Sequence, residues 1–126
     1  MKERIILAID DDQSLLNSLQ RWLRLHHMTC HLCTVPQNAV KRAVELDPDL
    51  IIVDLAMPHI SGLGLLREFK LRPELAQIPI VVLSGMTNPD IAMAAMDAGA
   101  NCFVRKTYLL QDLIPVLEEY VGACDA

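Results

Sequence analysis

The sequence predicts an α/β domain in which five parallel strands form one sheet with helices on both faces. Short apolar runs alternate with segments of helical periodicity along the 126 residues. The run Leu50-Ile51-Ile52-Val53 is continuously apolar, which is typical of a strand buried on both faces of a parallel sheet. Right-handed crossovers between such strands place helices on both sides.

The first half of the chain is predicted to contain three strands and two helices. Apolar runs predict strands at 5–9, 28–34 and 50–54, and apolar residues at helical spacing predict helices at 14–26 and 36–46. Ser14 or Asp12 is expected to cap the first helix, because a short polar side chain there accepts a hydrogen bond from a free N–H group. Pro36 suits the first turn of the second helix.

The second half continues the alternation. Helices are expected at 63–71, 88–98 and 109–121, and strands at 80–83 and 102–104. Gly99 is placed to end the fourth helix in a left-handed conformation. Met93 and Met96 lie off the apolar stripe of that helix, and either pack at its flank or belong to an adaptable partner surface.

Composition indicates one compact domain spanning residues 1–126. The chain is 52% apolar, but no apolar run approaches the roughly 18 residues of a membrane span, and the run near the start is too short for a signal peptide. We therefore expect a cytoplasmic protein without a membrane partner. The net charge is −5 and the 11 Lys and Arg are scattered, which argues against direct nucleic-acid binding.

The four cysteines do not form a disulfide-scaffold pattern. Cys30 and Cys33 invite a zinc hypothesis, but residues three apart on a strand point to opposite faces, so the two thiols are not expected to share one ion.

Polar side chains follow four of the predicted strands. Asp10, Asp11 and Asp12 come after the first strand, and the third ends at Asp54. Ser84 follows the fourth strand, and Arg105 and Lys106 follow the fifth. Ligands of open parallel sheets bind at the carboxyl ends of the strands, so we expect Asp10, Asp11, Asp54, Ser84 and Lys106 to converge.

This set of residues favours phosphoryl chemistry. Carboxylates held close together repel one another unless a cation lies between them, and Mg²⁺ is the natural choice. Asp54 could then attack phosphorus as a nucleophile. Ser84 could donate a hydrogen bond to a phosphoryl oxygen, and Lys106 could pair with another as a point charge. Asp12 is more simply explained by negative charge at a helix N-terminus.

The stretches "ILAIDDD", "DLIIVDLAMPHISG", "PIVVLSG" and "GANCFVRK" resemble the receiver domain of two-component response regulators, in that family's order and near its spacing. The resemblance implies a flavodoxin-like sheet with strand order 2-1-3-4-5 and Mg²⁺, or Mn²⁺ in its place, as cofactor. It implies that Asp54 is the phosphoacceptor and that the metal ligands are Asp11 directly, Asp10 through water and the Ala56 carbonyl. It also implies that Ser84 is the switch hydroxyl, that Lys106 is the phosphate-binding lysine and that Phe103 is the aromatic that changes rotamer on activation.

The resemblance also implies partners. A histidine kinase or histidine phosphotransfer protein supplies the phosphoryl group, and a downstream protein or output domain contacts the face formed by the fourth helix, the fifth strand and the fifth helix. A phosphorylation-dependent homodimer is left open. No output domain is seen after the fifth helix, so the chain is either a stand-alone receiver or part of a longer regulator. It would catalyse its own phosphotransfer and autodephosphorylation and would not be an enzyme in the usual sense.

Four positions depart from the family pattern. Thr107 follows Lys106 where proline is usual, and we expect a trans peptide bond there because a non-proline cis bond costs about 3 kcal/mol. Gly85 stands where alanine is commoner. Ala56 and Met86 carry no polar group to position an attacking water, which predicts a long-lived phosphoryl group.

Two other functions are considered. A phosphatase of the haloacid-dehalogenase type would use Asp10 and Asp12 as its DxD motif and leave Asp54 without a role. A receiver-like docking module would bind partners without accepting phosphate.

Overall fold

The computed structural model of the chain describes residues 4–55, 62–85, 89–105 and 119. Within these residues, five strands form one parallel sheet in the order β2-β1-β3-β4-β5, as the resemblance implied. The strands are β1 (Arg4–Ile9), β2 (Met28–Cys33), β3 (Leu50–Asp54), β4 (Ile80–Ser84) and β5 (Cys102–Arg105).

The described helices lie close to their predicted positions. They are α1 (Gln13–Leu25), α2 (Ala39–Leu46), α3 (Gly62–Leu71) and α4 (Pro89–Asp97). The helix predicted at 109–121 lies outside the described residues except for Glu119, which is helical. None of the helices in the described part of the chain has the length and apolar character needed to cross a membrane.

One predicted helix differs in its first turn. The segment expected to be α-helical from Pro36 begins as a 3-10 turn over Pro36–Asn38, and the α-helix starts at Ala39. The Asn38 N–H donates to the Val35 carbonyl at 2.9 Å, three residues back, which tightens this turn. Pro36 has the expected first-turn position, but it opens the 3-10 segment.

The core consists of two apolar layers, one on each face of the sheet. Alternate residues of β1 enter different layers, since successive strand side chains point to opposite faces. One layer packs Leu16, Leu19 and Leu23 of α1 against the sheet. The other packs residues of α2, α3 and α4, including Ala43, Phe69 and Ala95. All residues of β3 and β4 are buried, which explains their continuously apolar sequence.

Two helix ends match the sequence signals. Asp12 occupies the N-cap of α1, because its carbonyl accepts the Leu16 N–H at 3.1 Å. Of the two capping residues considered, Asp12 therefore has this position and Ser14 lies in the first turn. Gly99 has a φ of +118°, in the left-handed region, directly after α4.

Candidate functional site

The carboxyl edge of the sheet brings three chain segments together. Asp10 follows β1 directly, whereas Asp54 and Ser84 are the last residues of β3 and β4. Ile9 pairs with Val53, and Asp54 pairs with Leu83, so these strand ends are nearly level. Strand register alone therefore places Asp10, Asp54 and Ser84 side by side.

The carboxylates of Asp10, Asp11 and Asp54 converge. One oxygen from each lies within 4.8 Å of the others. Asp10 and Asp54 are each only 2% exposed, whereas Asp11 is exposed. Three like charges at this separation repel strongly where two are withdrawn from water. A hard divalent cation such as Mg²⁺, which prefers carboxylate and water oxygens, fits this donor set.

Backbone groups orient Asp10. Its N–H donates to the Cys33 carbonyl at 3.2 Å, which extends the β1–β2 pairing by one residue. Its Oδ1 accepts the Asp12 N–H at 3.0 Å. The chain thus turns from strand to helix across the Asp10 side chain. Asp12 belongs to this turn and is absent from the carboxylate group formed by Asp10, Asp11 and Asp54.

The start of α3 approaches the end of β3 closely. A Cβ atom on Gly62 would lie 2.7 Å from Leu55 Cα and 3.0 Å from its carbonyl oxygen. Only glycine permits this approach without moving the backbone next to Asp54. Gly62 is the last residue of the stretch "DLIIVDLAMPHISG", and this contact explains why glycine stands there.

Ser84 and Phe103 share one face of the sheet. Ser84 is fully buried at the end of β4. Val82 pairs with Phe103 and Ser84 pairs with Arg105, so Phe103 is a diagonal neighbour of Ser84 on the same face. Phe103 is partly buried and packs against the layer that contains α4. Ser84 and Phe103 therefore connect the carboxyl edge of the sheet with β5 and with the layer that contains α4.

Several predicted site residues lie outside the described residues. They are Ala56, Met86, Lys106 and Thr107. The roles of Ala56 and Lys106, the trans bond before Thr107 and the slow loss of the phosphoryl group therefore stay predictions.

None of the three cysteines in the described part of the chain belongs to a group of potential metal ligands. Cys30 belongs to the core layer that contains α1, and Cys33 belongs to the opposite layer, as strand geometry predicted. Burial raises the pKa of the Cys30 thiol to about 12, so it stays protonated at neutral pH. The Cys33 thiol donates to the Val35 carbonyl at 3.1 Å, and burial also raises its pKa.

Three polar residues without a sequence motif lie at the opposite, amino edge of the sheet. Asp49, Lys70 and Asn101 make side-chain hydrogen bonds to backbone groups there. No motif marks them, because a hydrogen bond to a backbone group requires no particular residue type in the partner.

Comparison with known proteins agrees with this architecture. The family model of the response regulator receiver domain matches residues 6–118. The transcriptional regulatory protein PrrA of Mycobacterium leprae is 32% identical over 109 residues, which are 86% of this chain and 46% of PrrA. The chain thus spans about half the length of the curated relatives it matches.

Solved structures share the fold. The chemotaxis protein CheY4 of Vibrio cholerae has a TM-score of 0.89 at 21% identity, covering 94% of this chain and 99% of CheY4. A response regulator protein from Burkholderia pseudomallei, solved with a phosphorylated aspartic acid, calcium and citrate, has a TM-score of 0.83 at 24% identity, covering 91% of this chain and 66% of that one. The family match extends over most of the sequence, and the chain therefore belongs to the response regulator receiver domains of two-component signalling.

Proposed function

We propose that this receiver domain accepts a phosphoryl group on Asp54 from a phosphohistidine of a kinase or phosphotransfer protein. A carboxylate oxygen of Asp54 attacks the phosphorus, the P–N bond breaks, and an acyl phosphate forms as the imidazole leaves and takes up a proton. The observation that carries this proposal is the grouping of the Asp10, Asp11 and Asp54 carboxylates within 4.8 Å at the carboxyl edge. The Burkholderia structure, which contains a phosphorylated aspartic acid, supports the same chemistry by analogy.

In this proposal Asp10, Asp11 and Asp54 hold Mg²⁺, or Mn²⁺ in its place, together with the carbonyl of Ala56. When bound, the ion supplies positive charge that offsets the carboxylates and the charge on the transferring phosphoryl group. Asp10 is oriented for this role by the Asp12 N–H and by its own bond to Cys33. Lys106 pairs with a phosphoryl oxygen.

The phosphoryl group then acts as a switch. It adds negative charge and acceptor oxygens at Asp54, and the Ser84 hydroxyl donates a hydrogen bond to one of them. Because Ser84 leads into the loop before α4, this bond draws the loop toward the site, and Phe103 follows on the same face. A population shift from 99% inactive to 99% active requires about 5.5 kcal/mol, so partner binding completes what these bonds begin.

The surface that changes includes α4 and β5, to which the family resemblance adds the predicted fifth helix. Met93 and Met96 are 65% and 46% exposed on α4. Of the two roles considered for them, a contribution to an adaptable partner surface is therefore favoured over flank packing. The occupant is a downstream protein, an output domain of a longer regulator or a second copy of the receiver.

The phosphatase hypothesis required Asp10 and Asp12 to act as a pair. The structure groups Asp10 with Asp11 and Asp54 instead, and Asp12 caps α1. The family match also favours a signalling domain over a phosphatase.

The test is treatment of the purified protein with acetyl phosphate and Mg²⁺, followed by intact-mass measurement. The wild type should gain one phosphoryl group, and Asp54→Asn should gain none. Asp12→Asn is the matched control, because asparagine keeps the helix cap while one acidic charge beside the site is removed. It should be phosphorylated like the wild type.

Equal labelling of Asp54→Asn would show that another residue is the acceptor. An unlabelled wild type, when a known receiver is labelled in parallel, would favour the docking-module hypothesis.

A further inference from the structure

The C-terminal end of α4 closes on itself through backbone hydrogen bonds. The Gly99 N–H donates to the Met96 carbonyl at 3.1 Å, and the Ala100 N–H donates to the Ala95 carbonyl at 3.0 Å. These two bonds and the left-handed Gly99 form a Schellman motif. The carbonyls of Ala95 and Met96 are thereby satisfied within the turn.

Lys70, in the last turn of α3, lies against this turn. A Cβ atom on Gly99 would lie 2.5 Å from Lys70 Cγ and 3.1 Å from Cε, so the lysine stem occupies the space beside the glycine. The ammonium Nζ lies 3.3 Å from the Ala76 carbonyl oxygen and 3.2 Å from that of Ile78. One side chain thus joins the end of α3, the loop before β4 and the turn after α4.

The environment of Lys70 differs from that of an ordinary surface lysine. Lysine usually keeps its ammonium in water and buries only its stem. Here burial lowers the pKa of Lys70, and the two carbonyl oxygens accept hydrogen bonds from its charged form.

A second connection fixes the same turn to the sheet. The Asn101 N–H donates to the Ile80 carbonyl at 2.8 Å, and the Ile80 N–H donates to Asn101 Oδ1 at 2.9 Å. This reciprocal pair links the residue just before β5 to the first residue of β4. The end of α4 is therefore held by both α3 and the sheet.

The buried residues of α4 and of the turn after it lie toward the C-terminal end, although Met96 and Asp97 near that end are exposed. Among the described residues, Pro89 and Asp90 are exposed and Ile91 and Ala92 are half-buried. The buried alanines of α4 and its turn are Ala95, Ala98 and Ala100, all toward the C-terminal end. Packing thus resists displacement mainly at that end.

We infer that α4 is hinged at its C-terminal turn, with Lys70 as the positioning residue that holds the hinge, so that its displacement is largest at the N-terminal end. This rests on the proposed function for its trigger, since Ser84 and its loop act on the N-terminal end. The downstream partner would then recognise a tilted helix on a constant pivot.

The experiment is native-state amide hydrogen exchange by NMR on the full chain, with and without acetyl phosphate and Mg²⁺. In the unmodified wild type, Met93 and Ala94 should exchange faster than Ala98 and Ala100. Lys70→Ala removes the stem that lies beside Gly99 and should accelerate exchange at Ala98 and Ala100 by about tenfold. Lys70→Met keeps a stem beside Gly99 and removes only the hydrogen bonds to Ala76 and Ile78, so it should accelerate exchange there much less.

Two controls separate a local hinge from general destabilisation. Arg67→Met alters an exposed cation on the same helix and should leave exchange unchanged. Amides of Ile51 and Val53 in β3 should be unaffected in the Lys70 variants. Loss of protection in β3 equal to that at Ala98 would overturn the inference, because Lys70 would then support the whole fold.

Phosphorylation gives the second readout. In samples that intact mass shows to be phosphorylated, Met93 and Ala94 should change, and Ala98 and Ala100 should keep their wild-type rates. Equal changes at both ends would overturn the hinge. If intact mass shows no phosphoryl group, the proposed function fails, while the exchange gradient and the Lys70 variants of the unmodified protein still decide the hinge.

Discussion

At the carboxyl edge of the sheet three carboxylates face one another, whereas at the amino edge polar side chains bond to the backbone. Asp10, Asp11 and Asp54 lie within 4.8 Å. At the other edge Asp49 Oδ2 accepts the Ile5 N–H at 2.8 Å, and the Asp49 N–H donates to the Ile5 carbonyl at 2.8 Å. Asn101 and Ile80 repeat this reciprocal pattern on β4.

The amino edge therefore contributes to stability, whereas the carboxyl edge contains the candidate functional site. Reciprocal hydrogen bonds at the amino edge align the strand starts and cost no electrostatic repulsion. At the carboxyl edge, repulsion between the three acids should lower the stability of the domain, and in the proposed function a bound cation offsets this repulsion.

The largest expected effect is stabilisation by metal at the carboxyl edge. At a free Mg²⁺ concentration 100 times its Kd, the free energy of unfolding should rise by about 2.7 kcal/mol. Asp11→Ala should lose most of this gain, because one of the three carboxylates is removed. Urea denaturation with and without Mg²⁺ measures it, and Asp12→Asn should behave like the wild type. An undiminished gain in Asp11→Ala would place the ion elsewhere.

The second-largest expected effect is the loss of stability when a glycine at either edge of the sheet is replaced by alanine. Gly99→Ala places a Cβ against Lys70 on a backbone with φ of +118°, and should lower the free energy of unfolding by about 2 kcal/mol. Gly85→Ala, at the carboxyl edge, meets no atom within 4 Å and should change it by less than about 0.5 kcal/mol. Similar losses in urea denaturation for both variants would contradict the difference in packing between the two positions.

The smallest expected effect is the change in the free energy of unfolding when one acid from each edge of the sheet is replaced. Asp49→Ala leaves the Ile5 N–H without its side-chain acceptor and should cost about 1–2 kcal/mol. Asp54→Asn relieves repulsion and, without metal, should stabilise the domain by up to about 1 kcal/mol. Thermal unfolding in metal-free buffer tests the opposite signs. A destabilised Asp54→Asn would mean that its charge is already compensated in the folded protein.

Local signals in the sequence were sufficient for most of the elements. The apolar runs located β3 and β4, since a strand buried on both faces needs apolar residues at every position. Gly99 marked the end of α4, because a left-handed residue there favours glycine. The 3-10 turn at Pro36 was missed, since proline is equally compatible with the first turn of either helix type.

The residues of the functional site were predicted only in part. Asp10 and Asp54 were identified because each follows a strand whose end is set by the apolar pattern. Strand order came from family resemblance, because apolar periodicity does not distinguish one neighbour from another. Lys70 was overlooked, since its contacts with Gly99, Ala76 and Ile78 depend on how three separate segments meet.

By itself the sequence determined which residues enter strands and helices and which acids end the strands, because periodicity and turn chemistry act between near neighbours. The tertiary structure alone decided that Gly62 lies against Leu55 and that Lys70 lies against the turn after α4. These arrangements depend on distances between segments far apart in the chain, and such distances are set only when the two core layers pack on the sheet.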